Sequence, residues 1–239
     1  MNEGGRRPGW VTTTAALLGL ALTLSASYWQ FGRASGKAAL RQQYLARQEM
    51  PPHDLNTSVP ATDAASFRKM LVIGAYEPAK AILLDNKLRG GAPGYEIVVP
   101  LQISGTNRYV LINRGWVGRG RERSDLPPID VPNGVVTVVG TAIVPGRGAL
   151  ELSDEIIEGR VWQNLILSRY REQQQLDILD FVIQEESDKD DGINRKWAAP
   201  GFGIETHQSY AVQWLLFATL IIFFYFYYGF IRKKPDSQK

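Results

Sequence analysis

The chain has 239 residues, a formal net charge of +3 and a pI of about 9.1, enough for one ordinary domain with accessory segments. It holds no cysteine and only two histidines, His53 and His207, which excludes disulfides, thiolate metal sites, cysteine nucleophiles and a conventional zinc site. Arg6, Arg7, Arg33, Lys37, Arg41, Arg232, Lys233 and Lys234 crowd beside hydrophobic runs, a pattern that suits lipid head groups and leaves no case for a nucleic-acid partner.

After a short tail at residues 1–9, "WVTTTAALLGLALTLSASYWQ" at 10–30 is uncharged, with Trp10 and Trp29 near its limits. Its length and aromatic ends predict a transmembrane helix. The alternative is a cleavable signal peptide ending after Ser27, suggested by Arg6, Arg7, the short apolar core and the small Ser25 and Ser27. Residues 31–66 predict a juxtamembrane helix and linker, because Leu40, Tyr44 and Leu45 recur at helical spacing. "PPHDLN" at 51–56 stops the helix, since proline has no amide hydrogen and restricts the residue before it.

Residues 67–187 turn to β. "RKMLVIGAY", "KAILLDNKL", "GYEIVVPLQI", "RYVLINRGWV" and "GVVTVVGTAIV" are short runs rich in Val, Ile, Leu and Tyr, separated by "GGAPG", "SGTN" and "VPNG". "VWQNLILSRY" suggests a further strand and "REQQQLDILD" a short helix leading into "FVIQE". The acidic run "EESDKDDG" at 185–192 is expected to be a solvated loop, and residues 188–209 a return segment. "YAVQWLLFATLIIFFYFYYGFI" at 210–231 is uncharged. As a helix it would be roughly 33 Å long, a second span, with Arg232 to Lys234 opening the tail at 232–239.

The expected fold is therefore a two-span α-helical membrane protein with an extracytoplasmic α+β domain dominated by antiparallel β-sheet or a small barrel. Basic residues tie across the two membrane sides. A long domain translocates largely regardless of charge, so the tails are placed inside and the domain outside.

No enzyme signature emerges. "GGAPG" lacks the Gly-Lys-Ser/Thr ending of a phosphate loop and reads as a β-turn. His53 beside Asp54 in a proline-flanked loop is a weak acid–base pair, and no nucleophile–base pairing suggests a tethered hydrolase. "NRGWVGRGRERSD" at 113–125 gathers Arg114, Arg119, Arg121 and Arg123 around Trp116. It is either an anion- or propionate-binding face or a strand end with a charged hairpin loop.

His207 differs. With Tyr210, Ala211 and Trp214 it follows one helical face at the mouth of the second span. Chain connectivity puts Trp29, Gln30 and Arg33 at the same membrane depth. Imidazole is a good axial ligand for haem iron, aromatic faces pack on a porphyrin, and Arg33 suits a propionate. The plainer reading of His207 is an interfacial or inter-helix hydrogen-bonding residue.

"YWQFGRASGK", "LLDNKLRGGAPGYEIVVPLQI", "VLINRGWVGRGRERSDLPPID", "GVVTVVGTA" and "HQSYAVQW" together resemble the surfeit locus protein 1 family, from about Trp10 to Arg232. These are membrane proteins that assist assembly of haem–copper cytochrome c oxidase. The resemblance implies two spans flanking a β-rich domain, and the short tail before Trp10 favours a bacterial member in the inner membrane with its domain in the periplasm. It also implies a non-enzymatic chaperone-like factor that binds haem a through His207, the candidate iron ligand, within a shell of Trp29, Gln30, Arg33, Tyr210 and Trp214. Implied partners are the oxidase catalytic subunit, the haem a synthesis machinery and membrane lipid. The alternative is a haem-independent scaffold that holds an oxidase subunit or another assembly factor. Residues 151–199 carry no recognisable family motif.

Overall fold

The structure, a computed structural model, describes residues 8–120, 125–145 and 157–231. Arg6, Arg7, Arg121, Arg123 and Arg232 to Lys234 lie outside the described residues. The first helix, α1 (Trp10–Gln48), is followed by β1 (His53–Asp54), a single turn α2 (Thr62–Ala65) and β2 (Lys69–Tyr76). Next come β3 (Ile82–Arg89), β4 (Ala92–Ile103), β5 (Tyr109–Gly118) and β6 (Val135–Ile143). The chain then forms β7 (Ile157–Glu158), β8 (Val161–Trp162), α3 (Leu167–Gln174), β9 (Ile178–Glu185) and α4 (Ile204–Phe226). These elements form two compact units, one of Met1–Gln43 with Pro200–Lys239, the other of Tyr44–Ala199.

In the first unit, α1 and α4 are each long and apolar enough to cross a membrane. Only 11% of the most hydrophobic stretch of each is buried, so Leu17, Leu18, Leu22, Leu216, Leu220 and Phe223 point away from protein. The core helix of a soluble domain would bury them. No proline or glycine pair interrupts α1 after the span, and the helix continues unbroken to Gln48.

The second unit is one nine-stranded mixed sheet in the order β1-β2-β6-β9-β5-β4-β3-β8-β7. The five predicted β runs all form strands. The antiparallel expectation holds only in part: β1–β2, β3–β8 and β5–β9 are parallel. An additional β2–β4 pairing at Gly74 to Tyr76 links the ends of the β2-β6-β9-β5-β4 run. With β1, β3, β8 and β7 extending beyond that circuit, it is not a clean barrel. The parallel pair at the centre has a physical signature, since such strands bury both faces. Val110, Ile112, Phe181 and Ile183 enter one core, while Leu111, Ile178 and Val182 enter a second with Trp162 and Tyr170.

Two sequence expectations shift. "VWQNLILSRY" forms only the two-residue β8 before α3 begins at Leu167, because Tyr170 is wanted on a helix: its ring lies 5.9 Å from that of Trp162 and its hydroxyl donates to the Lys80 carbonyl at 2.6 Å. α3 then stops at Gln175 in the left-handed region, leaving Ile178–Glu185 for β9. "GGAPG" is a tight hairpin whose Gly90 and Gly91 both have positive φ, the backbone that a two-residue connection between strands requires.

Candidate functional site

The predicted site is built where α1 and α4 approach. Their contacts run antiparallel: Thr13 with Tyr225, Gly19 with Ile221, Ser27 with Ala211 and Gln30 with His207. Buried positions recur as Thr23, Ser27 and Ala34 on α1, and as Ile204, Ala211 and Ala218 on α4. Small side chains there let the backbones come close, which is how helices associate without a hydrophobic driving force. Ser27 Oγ donates to the Ala211 carbonyl at 3.0 Å, with Ala211 at 0% exposure. Near the other end of the helices the Thr13 and Tyr225 hydroxyls pair at 3.0 Å.

One turn from that crossing, His207 is half-buried in the first turn of α4. Its Nδ1 lies 2.8 Å from Gln30 Oε1. Among the described residues no hydrogen bond reaches its Nε2. Arg33 places its guanidinium over the Trp29 ring at 5.6 Å. Trp29 and Tyr210 are 55% and 50% exposed, and Trp214 is half-buried with its ring against Phe217 at 5.7 Å. The structure thus joins Gln30 to His207 and Arg33 to Trp29. Tyr210 and Trp214 follow His207 along α4, with no ring contact to it. Ser27 was legible only as a small residue suited to a cleavage site; its partner on a helix 184 residues away was not. A groove of about 640 Å³, lined by Thr12, Ala16, Leu220 and Tyr225 among others, lies toward the opposite end of the helices from His207.

In the sheet unit, the arginine group does not form an anion-binding face among the described residues. Arg114 is 2% exposed and its donors are taken by protein acceptors: Nε by Glu185 at 3.4 Å, Nη2 by Asp191 at 3.4 Å and Nη1 by the Asp130 carbonyl. Its guanidinium also lies 5.6 Å from the Tyr76 ring. Burial, with Glu185 adding, pushes the Tyr76 hydroxyl above its ordinary value. Arg119 pairs with Asp85 and lies over Tyr95 at 5.4 Å.

The rest of "NRGW" has the same task. Asn113 Nδ2 donates to Glu96 at 2.8 Å and Trp116 Nε1 to the Lys87 carbonyl at 2.7 Å. Trp116 and Asn194 exchange backbone hydrogen bonds of 2.9 and 2.8 Å. Gly115 has φ +130°, and a Cβ there would sit 2.5 Å from Ile193 Cγ2 and 2.8 Å from the Asn194 oxygen. The motif clamps the segment after β9 onto the sheet.

Residues 186–192 form an exposed loop, as expected, and the departure is Glu185, which ends β9 and is buried. Glu185 is 2% exposed and accepts ion pairs from Arg114, Arg195 and Lys189 at 3.4, 3.6 and 3.4 Å. Asp191 takes both Arg195 Nη atoms at 2.7 and 2.6 Å. That bidentate bond, helped by the Ile193 amide and opposed by partial burial, holds the Asp191 carboxyl down to about 2.

The sequence model of the SURF1 family matches residues 17–219, the whole sheet unit and much of each candidate span. The chain belongs to the SURF1 family. This is the surfeit locus protein 1 family, which is associated with cytochrome oxidase assembly. Among curated proteins, a SURF1-like protein of Caenorhabditis briggsae is 27% identical over 140 residues, covering 48% of this chain and 44% of the relative. The chain thus spans less than half the length of that curated relative. The two apolar helices flanking the sheet unit fit a membrane-anchored member.

Proposed function

We propose that this SURF1-family chain assists assembly of a haem–copper cytochrome c oxidase by receiving haem a at the membrane surface and passing it toward the catalytic subunit. The observation that carries the reading is His207: a half-buried imidazole at the mouth of an apolar helix, one ring nitrogen bonded to Gln30 and the other without a protein partner among the described residues. The surroundings fit such a cargo. Haem a has an apolar tail and polar propionates, and the site stands where exposed apolar helix surface gives way to Arg33.

In this reading His207 donates the electron pair that holds the iron. Arg33, already stacked on Trp29, meets a propionate, and Trp29, Tyr210 and Trp214 supply aromatic surface near the imidazole. The chain catalyses no covalent change. It delivers cargo from the haem a synthesis machinery while anchored in a bacterial inner membrane, with the sheet unit in the periplasm.

The test is a visible spectrum of the detergent-purified protein, wild type beside His207→Ala, from cells that make haem a. Wild type is expected to carry haem a and the variant to lose it while still inserting in the membrane. Haem-free wild-type protein, in cells whose oxidase assembly still depends on it, sinks the carrier reading and leaves a protein scaffold. Arg114→Glu is a poor probe of that scaffold, because it would place an acid at a buried position facing Glu185.

A further inference from the structure

We propose that Gln30 is a positioning residue that fixes the protonation pattern of His207: Nδ1 carries the proton and Nε2 is held as a free electron-pair donor. The proposal deepens the haem a reading and rests on it for its consequence, although the protonation pattern itself is testable without haem.

The argument is geometric. A neutral imidazole has one N–H and one lone pair, and whichever nitrogen meets an acceptor keeps the proton. Gln30 Oε1 lies 2.8 Å from His207 Nδ1, and an amide oxygen only accepts, so this contact calls for a proton on Nδ1 and leaves the lone pair on Nε2. Both partners sit on regular helix, His207 in the first turn of α4 and Gln30 within α1. The helices are tied near that level by Ser27 and Ala211 at 3.0 Å. Both side chains are therefore carried by regular helix, and the contact orients the ring as well as setting its proton. A partner of this kind both aims a metal-binding imidazole and raises its basicity, and its loss usually costs about 10–100-fold in affinity.

The chain supplies its own control. His53, the other histidine, bonds through Nε2 to the Ser58 carbonyl at 2.8 Å. The Ser58 hydroxyl, 3.3 Å from the same nitrogen, both donates and accepts, whereas the nearer carbonyl only accepts, so the carbonyl contact is the one that calls for a proton on Nε2, the opposite pattern.

The experiment uses the full chain in detergent, labelled with ¹⁵N at histidine, at about pH 8.5. Nitrogen resonances distinguish N–H from lone-pair nitrogens, and His207→Ala assigns the two rings. Wild type is expected to show His207 protonated on Nδ1 and His53 on Nε2. Gln30→Met, close in size but without the oxygen acceptor, is expected to lose the Nδ1–H pattern and to bind ferric haem a about 10–100-fold more weakly. Gln30→Glu, which keeps an acceptor, is expected to restore the pattern. A purely structural tie between helices would not follow that order.

Nε2–H at His207 in wild type, or an unchanged pattern in Gln30→Met, overturns the proposal. Equal haem a affinity in wild type and Gln30→Met overturns the positioning role. If wild type shows the expected pattern but binds no haem a, Gln30 still sets the proton and the carrier reading is what fails.

Discussion

Glu185 shows how much one side chain holds. Its carboxylate, 2% exposed, is shared by Arg114, Arg195 and Lys189. Removing one member of a buried ion cluster leaves the others charged and dry, which typically costs about 3–5 kcal/mol. Glu185→Gln is therefore expected to lower the unfolding free energy of the sheet unit by about that much, measured by urea titration of tryptophan fluorescence; a loss below about 1 kcal/mol would show the carboxylate to be dispensable. Asp191 supplies a pH dependence of known sign. Its folded value, about 2, lies below the ordinary 3.8. Its contribution is thus present above about pH 4 and lost as pH falls toward about 2. Asp191→Asn is expected to flatten the decline of stability across that window, and an unchanged slope would count against the Arg195 bond as its cause.

At the scale of elements, two contacts decide placement. Ala211 has no exposed surface where Ser27 reaches its carbonyl, so Ala211→Leu should push α1 and α4 apart and break the Gln30–His207 bond. Spin labels on the two helices, read as a distance distribution, are expected to show a longer and broader separation; an unchanged distance would mean that the small residues are incidental to packing. On β5, Gly115 permits the segment after β9 to lie against the strand. Gly115→Ala forces a side chain into positive φ and into Ile193, a strain of about 1–3 kcal/mol before any repacking. Hydrogen exchange at the Trp116 and Asn194 amides, which bond each other's carbonyls, should accelerate in that variant.

At the scale of the molecule, the chain divides its work between two units. The three apolar cores of the sheet unit draw only on residues between Leu55 and Ile193. Residues 44–199 expressed alone should fold, with a circular dichroism melting midpoint close to that of the same unit in the full chain. A molten or aggregated fragment would show that the helices are needed for the fold. The candidate cargo site, by contrast, uses residues from both helices of the other unit and is expected to vanish from that fragment.

The sequence by itself determined the two apolar helices, the five main strands, the glycine hairpin and the family. Each is written in local signals: length without charge, alternation of apolar residues, and glycine where the backbone turns. It also led to the expectation that His207 and Gln30 lie at one level, and the structure brings them within 2.8 Å. Tertiary structure alone decided which residues meet. The parallel β5–β9 pair joins Tyr109 to Ile178 and Leu111 to Val182, and no local pattern announces a partner some 70 residues away. "NRGWVGRGRERSD" reads in the sequence as an anion-binding face or as a strand end with a charged hairpin loop, because charge in a sequence suggests solvent. Only the fold supplies the buried Glu185 and the more exposed Asp191 as counter-charges, turning Arg114 into part of the core. Likewise the proton on His207 depends on which atom of Gln30 stands 2.8 Å away, a matter of helix packing that periodicity does not record.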